Sequence, residues 1–214
     1  MAQPATPARR TLYNDPTFSD IEIRQIYKGQ VKEYDAHKAV LCAHSGWFMA
    51  ALTGRFKEAS SDTIEVHEDD PDTFQTMMEF FYEMELKKSP PGRNTDSVFK
   101  SDVIPLIALH ILADKYDAKS LQKAAMVAFE TRSEESGSKP SLETTKMLIH
   151  AYYSVCPGVM GDMGQAIVKY IFGSYSYSLK AGNYNTLAVQ YGNFGADLFL
   201  VGRATSKLVC ISQS

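Results

Sequence analysis

No apolar run in this 214-residue chain approaches the ~18 residues that span a bilayer, and the opening MAQPATPARRTLY lacks the apolar middle of a secretion signal. The expectation is an intracellular protein, in cytoplasm, nucleus or both, with no membrane partner. Cysteine is scarce: Cys42, Cys156 and Cys210 lie far apart with no CxxC pair. That excludes a disulfide framework and a zinc knuckle and suits a reducing compartment. Basic residues form no stripe, so no direct nucleic-acid binding is expected. The net charge of −3 conceals an uneven split, since residues 1–82 carry 8 Lys and Arg against 13 Asp and Glu while the remainder carries 14 against 12. The acidic bias is either solvated surface or a face for a basic partner. Also missing are a Walker loop, a GxGxxG fingerprint, a GxSxG elbow and any internal repeat. The spaced pairs Gly161 and Gly164, and Gly192 and Gly195, read as turns. Enzymatic activity therefore has no support in the sequence, and none is expected.

What is present is a chain that is 44% hydrophobic, enough to bury a core in one domain with an appendage or in two small domains. After a first segment over residues 1–17, Ile21–Tyr27 and Val31–Tyr34 alternate as two strands joined by Lys28-Gly29-Gln30, a hairpin. A helix is predicted over Lys38–Thr53. Leu41, Ser45, Phe48 and Leu52 share one face of it, Val40, Ala43, Trp47 and Ala50 share another, and Gly54 ends it. A short strand around Ile64 and Val66 precedes the clearest amphipathic helix, capped by Asp70 with Pro71 at its first position and with Phe74, Met77, Met78 and Phe81 at i, i+3, i+4 and i+7. That Met and Phe stripe reads as core rather than a ligand pocket. Residues 84–102, with two prolines and scattered charge, read as an exposed inserted connection. Two helices follow, one using Leu106, Leu109 and Leu112, the other capped by Asp117 and using Leu121, Ala125 and Ala128, with Tyr116 at the corner. A linker at 132–141 leads into further helices around 142–155 and 159–171, and NFGADLFLVGRA offers one more.

His37, Cys42 and His44 stand within eight positions, beside Ser45 and the chain's single tryptophan. On a helix His37 and Cys42 lie ~140° apart, and His37 and His44 are ~10 Å apart along the axis, too far for one zinc ion with bonds of ~2.0 Å. A capping or packing histidine is the better reading. His44 and Ser45, adjacent and ~100° apart on a helix, do not form a base and nucleophile pair.

Taken in order, these features resemble the BTB/POZ domain, here of the small fungal type with a short helical C-terminal extension. The carriers are Ser19-Asp20 before the first strand and Asp35-Ala36-His37-Lys38-Ala39-Val40-Leu41 with Ser45 and Phe48. They continue through Phe56-Lys57-Glu58, Ile64-Glu65-Val66, then Phe74, Met78, Phe81 and Tyr82, with LADKYDAKSLQ over 112–122 resembling the later helix pair. The resemblance covers residues 18–131 and leaves 142–214 as an extension. It implies an α+β fold, a three-stranded sheet packed with helices, in which Asp20, Asp35, His37, Leu41, Ser45, Phe48 and Tyr116 are fold-signature positions and His37 is structural. It implies a protein-interaction adaptor or scaffold with no cofactor and no turnover. Many such adaptors of cullin-type ubiquitin ligases carry a hydrophobic-any-Glu tripeptide before the third strand, and Phe56, Lys57 and Glu58 occupy that place. The alternative for Phe56 is a side chain tucked into its own domain, with Glu58 solvated. Trp47 is a second interface candidate, with packing beneath the tail or linker as its alternative. The implied partners are a cullin N-terminal region and a ubiquitylation target. A weak homodimer is a further expectation, because the helix that precedes the first strand in obligate BTB dimers has no counterpart in the proline-bearing residues 1–17. The other implied role is a scaffold of nuclear or cytoplasmic complexes, transcription-related ones for example, with no cullin.

Overall fold

Ile21, Ile23 and Gln25 alternate with Glu22 and Arg24, and this period of two makes β1 (Ile21–Tyr27) a strand with one face inward. β2 (Gln30–Ala36) returns antiparallel to it, with Ile23 opposite Tyr34. The strands are joined by Lys28 and Gly29, both at positive φ, 49° and 78°, the two-residue turn whose twist matches a hairpin. β3 (Thr63–His67) lies parallel to β1 on its other side, giving the sheet order β2-β1-β3. The computed structural model describes residues 11–54, 61–88, 95–135, 140–155, 158–174 and 182–205. By contacts the chain divides into two units, Met1–Leu86 with Leu112–Leu121, and Lys87–Ile111 with Gln122–Ser214.

The first unit holds the sheet. The helix expected over 38–53 is broken into α1 (Lys38–His44) and α2 (Gly46–Thr53) by Ser45, whose extended backbone ends one helix and starts the next. Its hydroxyl accepts from the Phe48 amide at 3.1 Å and donates to the Tyr116 carbonyl at 2.6 Å, so a contact far along the chain interrupts a pattern that is locally continuous. Gly46 continues the same junction, its amide donating to the Asp117 carbonyl; a Cβ there would overlap the Asp117 carboxyl. α3 (Pro71–Glu83) forms as its cap predicts, with Asp70 accepting from the Thr73 amide at 3.0 Å and Met84 closing it in the left-handed region. Phe74, Met77, Met78 and Phe81 are buried, as are Ile23, Tyr34, Ile64, Leu41, Phe48 and Tyr116, and together they form the core of this unit, with Phe74 packing on Tyr34 and Tyr116. Each such side chain contributes about 1.5–3 kcal/mol by burial.

In the second unit, the stretch read as an exposed connection is helical from Thr95 onward. α4 (Thr95–Val98) runs into a π-helical segment, Phe99–Val103, and then α5 (Ile104–Lys115). Phe99 and Val103 are both buried, and Phe99 packs on Tyr170 at 5.4 Å. α6 (Lys119–Glu135) carries the buried Arg132, which donates to Asp102 at 2.7 Å. α7 (Leu142–Tyr153) starts at Ser141, whose side chain accepts from Thr144 and whose amide donates to Asp96 at 2.7 Å. α8 (Asp162–Ser174), α9 (Gly182–Gln190) and α10 (Gly192–Ala204) complete the described chain. Gly164 and Gly195 are not turn residues, since they lie inside α8 and α10. Gly164 is small because the Asp197 carboxyl and the Tyr152 and Tyr153 rings fill the space a Cβ would need. The α+β architecture is thus a small three-stranded sheet among a majority of helices.

Candidate protein-interaction site

Asp20 sits one residue before β1, and its Oδ1 accepts from the Lys38 amide at 2.7 Å, supplying the start of α1 from outside the helix. His37, extended and just ahead of α1, does not cap with its own side chain. Its Nε2 lies 2.8 Å from the Thr17 carbonyl, an acceptor only, so that nitrogen carries the proton. Nδ1 then accepts from the Tyr82 hydroxyl at 3.0 Å, and the same oxygen accepts from the His37 amide at 3.0 Å. Burial pushes the Tyr82 phenol up to about 12 against the opposing pull of that amide, which keeps it a neutral donor at ordinary pH. The histidine therefore ties the segment before β1, the β2–α1 junction and the end of α3 into one unit.

The neighbouring side chains with reactive groups are desolvated, stacked or hydrogen-bonded. Burial pushes the Cys42 thiol up, with Asp20 adding to the shift, the reverse of what an activated nucleophile needs. His44 stacks on Phe81 at 5.6 Å, and burial lowers its pKa. The Ser45 hydroxyl has its proton on the Tyr116 carbonyl and its oxygen on the Phe48 amide. Among the described residues no group of three or more His, Cys, Asp or Glu could hold a metal ion. Ser45→Ala should cost about 1–2 kcal/mol, because the amide loses its cap and the carbonyl its donor. Chemical denaturation of the two proteins checks this, and a loss below about 0.5 kcal/mol contradicts the tie.

Leu41, Phe48 and Tyr116 are buried, and Phe48 stacks on Tyr116 at 5.5 Å. Tyr116 donates to Asp69 at 2.6 Å, and Lys115 pairs with the other oxygen at 2.6 Å. Asp35 is half-buried at the outer end of β2, opposite Glu22, and its amide donates to the Asn14 side chain at 3.0 Å.

Trp47 is the interface candidate within the described residues. Its ring stands edge-on to Phe48 at 4.9 Å and to Tyr116 at 5.2 Å, yet 38% of the residue faces solvent. Met49 beside it is 45% exposed, and Ala43, Gly46 and Ala50 are exposed as well. A ring held by two buried aromatics is rigid, and its open edge forms an apolar lip on α2, while Met49, two positions on, lies about 200° around the helix and shows on a different side. Met49 gave no separate signal in the sequence, because helical periodicity does not distinguish an outward methionine from a core one. Phe56, Lys57 and Glu58 lie outside the described residues. The outer face of the sheet is charged, Arg24 standing between Glu65 at 2.9 Å and Glu33 at 3.6 Å; such exposed pairs contribute little to stability.

No helix among the described residues is long and apolar enough to cross a membrane. A family model described as BTB/POZ domain matches residues 11–133. Among curated proteins, the mouse (Mus musculus) TD and POZ domain-containing protein 4 is 35% identical over 71 residues, 33% of this chain and 18% of that protein. The mouse TD and POZ domain-containing protein 1-like is 34% identical over 97 residues, 45% of this chain and 24% of that protein. The matched part of the chain thus spans about a fifth to a quarter of these relatives' length.

Proposed function

The chain belongs to the BTB/POZ family, a family of protein-interaction domains, and on that premise we propose that it is an adaptor of a cullin-type ubiquitin ligase. In this reading residues 18–131 bind the N-terminal region of a cullin, while residues 142–214, or another protein, hold the ubiquitylation target. The observation that supports it is the rigid, part-exposed Trp47 on α2. In sequence, the hydrophobic-any-Glu tripeptide Phe56-Lys57-Glu58 follows α2 two residues after Gly54. A phenylalanine and a glutamate close in sequence to an exposed tryptophan edge have the composition of an interface hot spot.

The test is a titration of a purified cullin N-terminal region into the full chain. Saturable binding is expected, with Phe56→Asp combined with Glu58→Lys lowering affinity about tenfold or more, and Trp47→Ala lowering it by a similar factor. Absence of binding by the unaltered chain would leave the scaffold without a cullin as the function. Equal affinity for all three proteins would remove both the tripeptide and the α2 lip from the interface.

A further inference from the structure

Ahead of β1 the chain makes two successive four-residue turns, Leu12 to Asp15 and Pro16 to Ser19, each closed by a hydrogen bond from the last amide to the first carbonyl. Both place their third residue in the left-handed region, Asn14 at φ 49° and Phe18 at φ 64°. Asparagine tolerates that backbone. A phenylalanine there is strained, because its Cβ crowds the carbonyl, and glycine is the residue the position ordinarily takes. Strain of this kind persists only where the surroundings over-determine it. They do so here: the Thr17 amide donates to Asp15, the Thr17 carbonyl accepts from His37, and the Asp20 amide donates to the Ala36 carbonyl. The ring is nonetheless 84% exposed, near the top of the large apolar residues among those described.

Strain and exposure fall on one residue held rigidly by its neighbours, and we propose that Phe18 is the anchor of a protein-binding surface independent of the α2 lip. Charge says what kind of partner fits. Residues 11–23 hold the carboxylates Asp15, Asp20 and Glu22 and no Lys or Arg. Asp35 stands opposite Glu22 across the hairpin, and Asp62 precedes β3 with its carbonyl on the Glu22 amide. Lys38, whose amide rests on Asp20, and Arg24, which is already paired with Glu65 and Glu33, are the adjoining cations among the described residues. A second copy of the chain docking isologously about Phe18 would bring these carboxylates against one another. The occupant is therefore a different protein, one offering an aromatic-sized apolar pocket with lysine or arginine side chains on its rim.

A photo-cross-linking phenylalanine analogue at position 18 of the full chain, in cells that express the protein, marks the partner. That partner is then purified and titrated against the unaltered chain and against Phe18→Asn, which keeps a residue suited to the turn. The expected result is an affinity about tenfold or more weaker for Phe18→Asn and a decline in affinity with added salt, while the variant melts no lower than the parent. The proposal is overturned if position 18 yields no cross-link or only chain-to-chain products, or if the purified partner binds both proteins equally. It is also overturned if Phe18→Asn lowers the melting temperature, since the ring would then serve its own fold.

Discussion

Phe74→Ala is expected to lower the unfolding free energy by about 3–5 kcal/mol, with a fall in Tm on the order of 10 °C. Phe74 is wholly buried on α3, with its ring 5.6 Å from that of Tyr34 on β2 and 5.8 Å from that of Tyr116. It therefore stands where the sheet, the amphipathic helix and the Tyr116 corner converge, and truncation removes contacts with all three. The neighbours are aromatic rings fixed by their own backbones, so they close the resulting cavity only in part, and the cost is the transfer term plus the cavity term. Met49→Ala on the exposed side of α2 is the control, expected within about 0.5 kcal/mol of the parent. Urea denaturation of the two variants measures the contrast. A loss below about 1 kcal/mol for Phe74→Ala would mean that the core is not organised around this ring.

Tyr116→Phe carries the second large effect, about 2–3 kcal/mol, from one oxygen atom. Its hydroxyl donates to Asp69, a buried carboxylate that also receives Lys115, while the Asp69 carbonyl accepts from the buried Gln25 side chain at 2.6 Å. Burial pushes the phenol far above its ordinary pKa, and Asp69 adds to the shift, so the group remains a donor through the whole working range. Phenylalanine keeps the ring stack on Phe48 and leaves the carboxylate short of a donor in a place water does not reach. The loss therefore reports the hydrogen bond rather than packing. A double-mutant cycle with Asp69→Asn should give a coupling of about 1 kcal/mol or more. Additive effects would sink the account.

How much of this could be read beforehand depends on whether the determining contact is local. α3 was legible from Asp70, Pro71 and the Phe and Met stripe, because its cap and its buried face lie within one stretch of chain. The break at Ser45 was not, because both flanking segments continue the same apolar pattern and the interruption comes from Tyr116, which is remote in sequence. The helix from Thr95 was hidden for another reason: Phe99 and Val103 keep a helical i, i+4 spacing, but the two prolines, glycine and scattered charge just ahead of them read as a connection and mask so short a pattern. α9 carries only Tyr184, Leu187 and Ala188 at i, i+3 and i+4, a period too short to stand out within its Gly, Asn and Tyr composition. At the candidate site, Trp47 was identifiable by type and position, but its degree of exposure depends on Phe48 and Tyr116. Phe18 could not be singled out, since a positive φ leaves no trace in a residue name unless the residue is glycine or asparagine.

The first unit takes its last piece, Leu112–Leu121, only after the chain has passed through Lys87–Ile111 of the second. During synthesis the sheet and α3 leave the ribosome lacking Tyr116, whose carbonyl accepts from Ser45, whose ring stacks on Phe48 and whose hydroxyl donates to Asp69. A nascent chain halted near Leu86 therefore carries an open hydrophobic seam and an unanswered carboxylate. Closure waits for Tyr116, and until it arrives the emerging segment is one a chaperone would be expected to hold.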